Sequence, residues 1–184
     1  MDDFETLSTR QVFDGVVIRL YVDEVRQPDG KVVEREVVRH WGAVGIVALD
    51  DAGDIYMVKQ YRHAPGEVLH EIPAGKLLPG EDPLTCAQRE LMEEVGAKAA
   101  RWTFLCRFYT SPGFSDEVLH LYLAQDLTEG ESCPEEDEFL EVYRVGLDEA
   151  LHMIDEGVIK DSKTIAGITL TSLKTPFGVR PQKE

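Results

Sequence analysis

The stretch Gly75–Ala97, GKLLPGEDPLTCAQRELMEEVGA, decides how this chain is read: it sets acidic side chains and one arginine at fixed distances around a short helix, between Gly75 and Gly96. Asp82 is a good N-cap, Pro83 suits the first helical position and Gly96 is a natural stop, so the spacing predicts roughly three to four turns of helix. Leu84, Ala87, Leu91 and Val95 form the expected buried stripe, and Glu90, Glu93 and Glu94 fall within an arc of roughly 100° beside it. Glu90 and Glu94 thus stack one turn apart. Like charges at this spacing cost an exposed helix about 0.2–0.5 kcal/mol each, and Arg89, one turn before Glu93, offsets only part of that. A hard divalent cation offsets far more. Carboxylate oxygens select Mg²⁺ or Mn²⁺ over softer metals, and Mg²⁺ completes its shell with water and substrate phosphate oxygens. For the three glutamates taken alone, a solvated acidic helix face is the competing reading.

The wider pattern goes further. Gly75, Glu81, Arg89, Glu90, Leu91, Glu93, Glu94, Gly96 and Ala97 match the Nudix box, G-x5-E-x7-R-E-U-x-E-E-x-G-U with U a bulky aliphatic residue, except that Ala97 is a small substitute at the last position. On these residues the chain resembles the Nudix hydrolases, which cleave nucleoside diphosphates linked to a further group. Other segments are similar to the ADP-ribose pyrophosphatase branch of that family: Gln60-Tyr61-Arg62, Glu71–Lys76, and Ser111–Glu117, whose Pro112 stands sixteen residues beyond Gly96. The acidic run Pro134–Phe139 and the segment Asp161–Thr164 resemble it too, so the similarity covers most of the chain.

Composition agrees. A chain of 184 residues with 43% hydrophobic content can bury a sizeable core, as one domain with an appendage. A formal charge of −16 and the lack of any Lys/Arg cluster argue against a nucleic-acid surface, while a small anion neutralised by metal stays compatible. Cys86, Cys106 and Cys133 are odd in number and far apart, which suggests free thiols rather than a disulfide framework or zinc site. Met1–Phe4 is acidic where a secretory signal would be basic, and no apolar run approaches spanning length, so a soluble, cytoplasmic protein without membrane partners is expected.

Along the chain, Val16–Val25 leads through Pro28-Asp29-Gly30 to Lys31–Val38, which reads as a hairpin and makes residues 1–42 an N-terminal β arm. Ala43–Leu49 and Ile55–Gln60 open the main domain, 43–184, and Trp102–Phe108, Glu117–Ala124 and Phe139–Val145 supply further strands. Helices are expected over Asp148–Glu156, with an apolar face of Ala150, Leu151 and Ile154, and over Lys163–Leu173, capped by Asp161 or Ser162. Glu129–Glu141, dense in acid, reads as a mobile loop. The mixture indicates an α/β (α+β) class. The resemblance sharpens it to a Nudix α/β/α sandwich with a mixed central sheet and an N-terminal antiparallel β arm.

The same resemblance implies site residues. Glu90 and Glu94 are the expected metal ligands, Glu93 joins them, Glu81 orients or supplements them, and the Ala74 carbonyl is a backbone ligand. Arg89 holds these carboxylates in place. A glutamate in a loop beyond the box is expected to act as general base; Glu136 best matches that position, with Glu135 or Asp137 as fallbacks and Glu138 as an additional metal contact. Arg62 corresponds to a diphosphate-contacting arginine, a role suited to the guanidinium fork. Glu71, Pro112 and Phe114 complete the substrate contacts, together with Arg35 and Glu36 from an arm that exchanges across a homodimer. The implied reaction is Mg²⁺-dependent hydrolysis of ADP-ribose to AMP and ribose 5-phosphate, with Mn²⁺ able to substitute. Pyrophosphatases for other nucleoside diphosphate sugars such as GDP-mannose share the box, and a non-catalytic nucleotide-sugar sensor is the alternative from another class.

Overall fold

A computed structural model describes residues 3–130 and 139–174. The chain divides into two compact units, one made of Met1–Gly42 with Phe108–Leu119, the other of Ala43–Arg107 with His120–Glu184. The 108–119 excursion therefore groups with the arm rather than with the sequence that flanks it.

In the first unit, β1 (Glu5–Asp14), β2 (Arg19–Arg26) and β3 (Val32–Arg39) form an antiparallel sheet in chain order. The β2–β3 turn follows its sequence chemistry: Gly30 takes a left-handed φ of 83°, and the Asp29 carboxylate accepts the Lys31 N–H at 3.1 Å. Two expectations change. Val16–Ile18 is not strand but the β1–β2 turn, closed by Gly15 N–H donating to the Ile18 carbonyl at 3.0 Å. The expected hairpin of β2 and β3 is present but gains a third strand on the other side of β2, namely β1, whose ten residues are all exposed and so carry no buried alternation to read. Along the outer edge of β3, Val38 donates to the Phe114 carbonyl at 2.7 Å and accepts from the Asp116 N–H at 3.1 Å, a short parallel bridge.

In the second unit, β4 (Ala43–Ala48), β5 (Asp54–Arg62), β6 (Glu67–Glu71) and β7 (Ala74–Lys76) precede the box helix α1 (Pro83–Glu90). β8 (Ala97–Tyr109), β9 (Val118–Glu129) and β10 (Leu140–Gly146) follow it, and then α2 (Leu147–Asp155) and α3 (Ser162–Lys174). Two sheets result, in the orders β7-β4-β9-β8 and β10-β5-β6. The class is mixed α/β, as expected. β8 and β9 are longer than the sequence pattern indicated, and β9 runs to Glu129 into what reads as loop. The rest of the acidic run, 131–138, lies outside the described residues.

Helix α1 begins as its sequence dictates, with the Asp82 carboxylate accepting the Thr85 N–H at 3.0 Å and Pro83 in the first turn. Its continuation departs from plain α geometry. Leu91–Val95 is a π-helical turn, closed by Gly96 at φ 71° with its N–H on the Leu91 and Met92 carbonyls. Cys86, Ala87, Glu90, Leu91 and Glu94 are interior, while Leu84 and Val95 of the expected stripe are only half-buried. Beneath it lie Val44, Ile46, Ala48, Tyr56 and Tyr122 of the sheets. Helix α3 packs close through Gly167, where a Cβ would stand 2.9 Å from Val47 Cγ2 and 3.0 Å from Ile72 Cδ1.

Because the Asp82 carboxylate satisfies an otherwise open N–H of α1, Asp82→Ala is expected to destabilise the protein by about 1 kcal/mol. The check is urea unfolding, with a lowered midpoint and an unchanged slope.

Candidate active site

The chain brings the acids of the box together around two backbone positions. Glu94, 4% exposed, accepts the Ala74 N–H at 3.0 Å through Oε2. Glu90, 7% exposed, lies against Gly75 so closely that a Cβ there would stand 1.8 Å from its Cδ. A side chain at position 75 would displace the Glu90 carboxylate from its place. Burying two carboxylates in one helical turn costs several kcal/mol each unless they are hydrogen-bonded and charge-compensated.

Arg89 supplies much of that compensation. Its Nη1 donates to Glu90 Oε1 at 2.7 Å and to Glu93 Oε2 at 2.9 Å, and its Nε and Nη2 donate to the two oxygens of Glu81 at 3.1 Å each. Nη2 also meets the Lys76 carbonyl at 3.3 Å. The fork is shared by three box carboxylates, which a lysine could not reproduce. Glu81 in turn accepts the Leu78 N–H at 2.9 Å, fixing the loop before α1. The Arg89 hydrogen bonds, with that backbone bond behind them, pull the Glu81 carboxyl down to about 2. The same bond to Glu81, ahead of the charges of Glu90 and Glu93, raises the Arg89 pKa further.

Among the described residues, no group of three or more His, Cys, Asp or Glu side chains is disposed to hold a metal ion. Glu81, Glu90 and Glu93 converge on the guanidinium instead. The donor set nonetheless fits a hard divalent cation, since it is all oxygen and two of its carboxylates are buried.

A second charged cluster stands on β5, β6 and the start of α3. Glu71, 1% exposed, accepts both Arg62 Nε at 2.8 Å and Arg62 Nη2 at 2.7 Å, and pairs with Lys163. Burial alone would push the Glu71 carboxyl up, but Arg62 and Lys163 outweigh it and hold its pKa below the ordinary 4.5. The bond to Glu71 likewise raises the Arg62 pKa. Asp161 settles which residue caps α3: its carboxylate accepts the Thr164 N–H at 2.9 Å and Thr164 Oγ1–H at 2.6 Å, and it pairs with Lys163 at 3.0 Å. Thr164 Oγ1 then accepts the Ile72 N–H at 2.9 Å, tying α3 to the strand that leads into Ala74 and Gly75.

Residues 39–167 match the NUDIX domain family. The chain belongs to the Nudix family. Residues 4–38 match the nucleoside diphosphate sugar hydrolase N-terminal domain. The ADP-ribose pyrophosphatase of Bacillus subtilis is 46% identical over 172 residues, 92% of this chain and 93% of that protein. A methanol dehydrogenase activator of Bacillus methanolicus is 45% identical over 172 residues, with the same shares of the two chains. A crystal structure of an ADP compounds hydrolase superposes with a TM-score of 0.82 at 22% identity over 95% of each chain, a likeness of fold.

Against that Nudix frame, the expected site residues fall into three groups. Ala74, Glu81, Arg89, Glu90, Glu93 and Glu94 stand in one cluster, while Arg62 and Glu71 form the neighbouring pair in the same unit. Arg35, Glu36, Pro112 and Phe114 belong to the other unit, where with Val37, Tyr109 and Gly113–Asp116 they line one cavity of about 490 Å³. Glu135, Glu136, Asp137 and Glu138 lie outside the described residues. Sequence reasoning missed Lys163 and Thr164 as partners of this site. A lysine and a threonine just after a capping aspartate were the available signal, but their targets, Glu71 for Lys163 and the Ile72 N–H for Thr164, are each 92 residues away.

Two outcomes follow. Gly75→Ala should destabilise the fold by about 1–3 kcal/mol through overpacking against Glu90, read as a lowered thermal midpoint. For Glu71, a depressed folded-state pKa means that its contribution is present above about pH 4.5 and is lost as pH falls through the folded value. Glu71→Gln should therefore cost about 3 kcal/mol at pH 7, with the gap to wild type closing as pH falls through the depressed folded-state value, in denaturation measured across acid pH.

Proposed function

We propose that the chain hydrolyses the diphosphate linkage of ADP-ribose to AMP and ribose 5-phosphate, using a divalent metal, Mg²⁺ in preference with Mn²⁺ able to substitute. The observation that carries the chemistry is the pair of buried carboxylates, Glu90 and Glu94, set against the Gly75 and Ala74 backbone. The substrate rests on the identity with a protein named ADP-ribose pyrophosphatase over nearly the whole chain.

In this reading Glu90, Glu93 and Glu94, with Glu81, Glu138 and the Ala74 carbonyl, hold the cation. When bound it neutralises the diphosphate and stabilises charge that develops at phosphorus. The remaining work falls to the chain. Arg89 keeps the box carboxylates ionised and in register. Arg62, oriented by Glu71 and with 39% of its side chain exposed, presents donors to the diphosphate. Glu136 takes the proton of the attacking water. Arg35, Glu36, Pro112 and Phe114 are further substrate contacts, and the arm forms a homodimer. Among the described residues no helix is long and apolar enough to cross a membrane; a cytoplasmic enzyme with a small-molecule substrate accords with this.

The relative named as a methanol dehydrogenase activator favours a second reading, in which the same chain raises the turnover of a dehydrogenase. Adding purified protein to an alcohol dehydrogenase assay, with and without Mg²⁺, separates the two.

Incubation with ADP-ribose, GDP-mannose, NADH and diadenosine polyphosphates in turn should yield AMP and ribose 5-phosphate chiefly from ADP-ribose, and nothing in EDTA. Preference for another compound would move the substrate and keep the chemistry; no turnover of any would remove the proposal. Glu94→Gln should lower kcat by at least about 100-fold, since even outer partners of metal ligands cost 10–100-fold when removed.

A further inference from the structure

The cavity of the first unit has two walls, and the Arg39 side chain ties them, with the His40 ring 3.2 Å from Glu117 Oε1 beside it. One wall is β3, which contributes Arg35, Glu36 and Val37; the other is the 109–116 segment, which contributes Tyr109, Phe114 and Asp116 among others. Among the described residues, main-chain bonds join them at Val38, which meets the Phe114 carbonyl and the Asp116 N–H. Beyond that point Arg39, at the end of β3, reaches across. Its Nη1 donates to Asp116 Oδ2 at 3.2 Å, while Asp116 Oδ1 accepts the His40 N–H at 2.9 Å, so both oxygens of Asp116 are held from the β3 side.

Arg39 is itself anchored from behind. Its Nη2 lies 3.5 Å from Oδ2 of Asp23, and its guanidinium carbon is 5.9 Å from the centre of the Tyr21 ring. Asp23 is 6% exposed and its Oδ1 is buried without a hydrogen-bond partner. A carboxylate desolvated in that way is costly to keep in a sheet, and Arg39 is the cation the structure sets against it. A lone exposed ion pair would carry little, but a guanidinium fixed between a buried acid and a wall acid has few rotamers left to lose.

We propose that Arg39, anchored by Asp23, is a positioning residue for the substrate: by holding Asp116 it sets the gap between the two cavity walls, and with it affinity rather than the chemical step. This rests on the reading that Arg35, Glu36, Pro112 and Phe114 bind substrate. Neither Arg39 nor Asp23 lines the cavity, so their effect passes through Asp116 and the wall it belongs to.

The test is steady-state kinetics on ADP-ribose with Mg²⁺ for wild type, Arg39→Ala, Arg39→Lys and Asp23→Asn, with thermal midpoints for each. Arg39→Ala should raise KM about tenfold with kcat within about twofold of wild type, the signature of lost uniform binding. Arg39→Lys, whose ammonium serves one carboxylate at a time, should raise KM about threefold and thus recover part of the loss. Asp23→Asn should move KM in the same direction. Arg101→Ala, which removes an exposed pair with Asp126 in the other unit, should leave both constants at wild-type values. A KM unchanged in the Arg39 variants, whether or not their midpoints fall, overturns the inference; if Arg39→Ala does not fold, Arg39→Lys decides on the same terms. Wild-type turnover of ADP-ribose with unchanged variant KM sinks this inference alone, whereas a wild type that cleaves no nucleoside diphosphate sugar removes the functional reading and the inference with it. Should another nucleoside diphosphate sugar be preferred, the same comparison is made on that compound.

Discussion

Carboxylates held out of water within one helical turn are the constraint around which the second unit is arranged. Glu90 and Glu94 are interior, and each makes a demand on the chain around it. Glu90 leaves no room for a side chain at position 75. Glu94 takes the amide of Ala74, a backbone donor that would otherwise need a partner of its own. Arg89 must then serve Glu81, Glu90 and Glu93 together. The turn that carries Glu93 and Glu94, Leu91–Val95, is π-helical, and Gly96 ends it in a conformation that suits glycine.

The Glu71 cluster repeats the logic with different parts. There an interior acid is met by Arg62 from a neighbouring strand and Lys163 from a helix, and the helix is located by a capping aspartate and a buried threonine. Buried ion pairs of this kind are weak evidence for net stability, because the desolvation cost is close to the Coulombic gain. What they supply is register. Thr164 on Ile72 and Glu94 on Ala74 grip the same short stretch of chain from opposite partners, so the backbone between β6 and α1 has little freedom.

Much of this was legible where the cause is local. Asp82, Pro83 and Gly96 mark the ends of the box helix because capping chemistry acts over three or four residues, and Pro28-Asp29-Gly30 marks its turn for the same reason. The acids of the box could be named in advance as a cluster, and Arg89 as their partner. The misses share the opposite property. The exposed residues of β1 lack any burial alternation, so the strand was invisible and Val16–Ile18, rich in β-branched side chains, read as strand in its place. Nothing in LMEEV distinguishes a π turn from an α one. Lys163 and Arg39 act on residues 92 and 77 positions away, beyond any pattern of local spacing.

The bridge between β3 and the 114–116 segment has a bearing on how the protein is made. The three arm strands leave the ribosome before the rest of their unit, and the residue that Arg39 holds is 77 positions further along. At typical synthesis rates of 5–20 residues per second, the outer edge of β3 waits about 4 to 15 seconds for its partner. During that interval the arm offers an open hydrogen-bonding edge beside the exposed Val32, with Glu34, Arg35, Glu36 and Arg39 as the charges along the strand. Translation speed over β4 to β8, and not only the final fold, therefore governs how long nascent chains can meet one another through this edge.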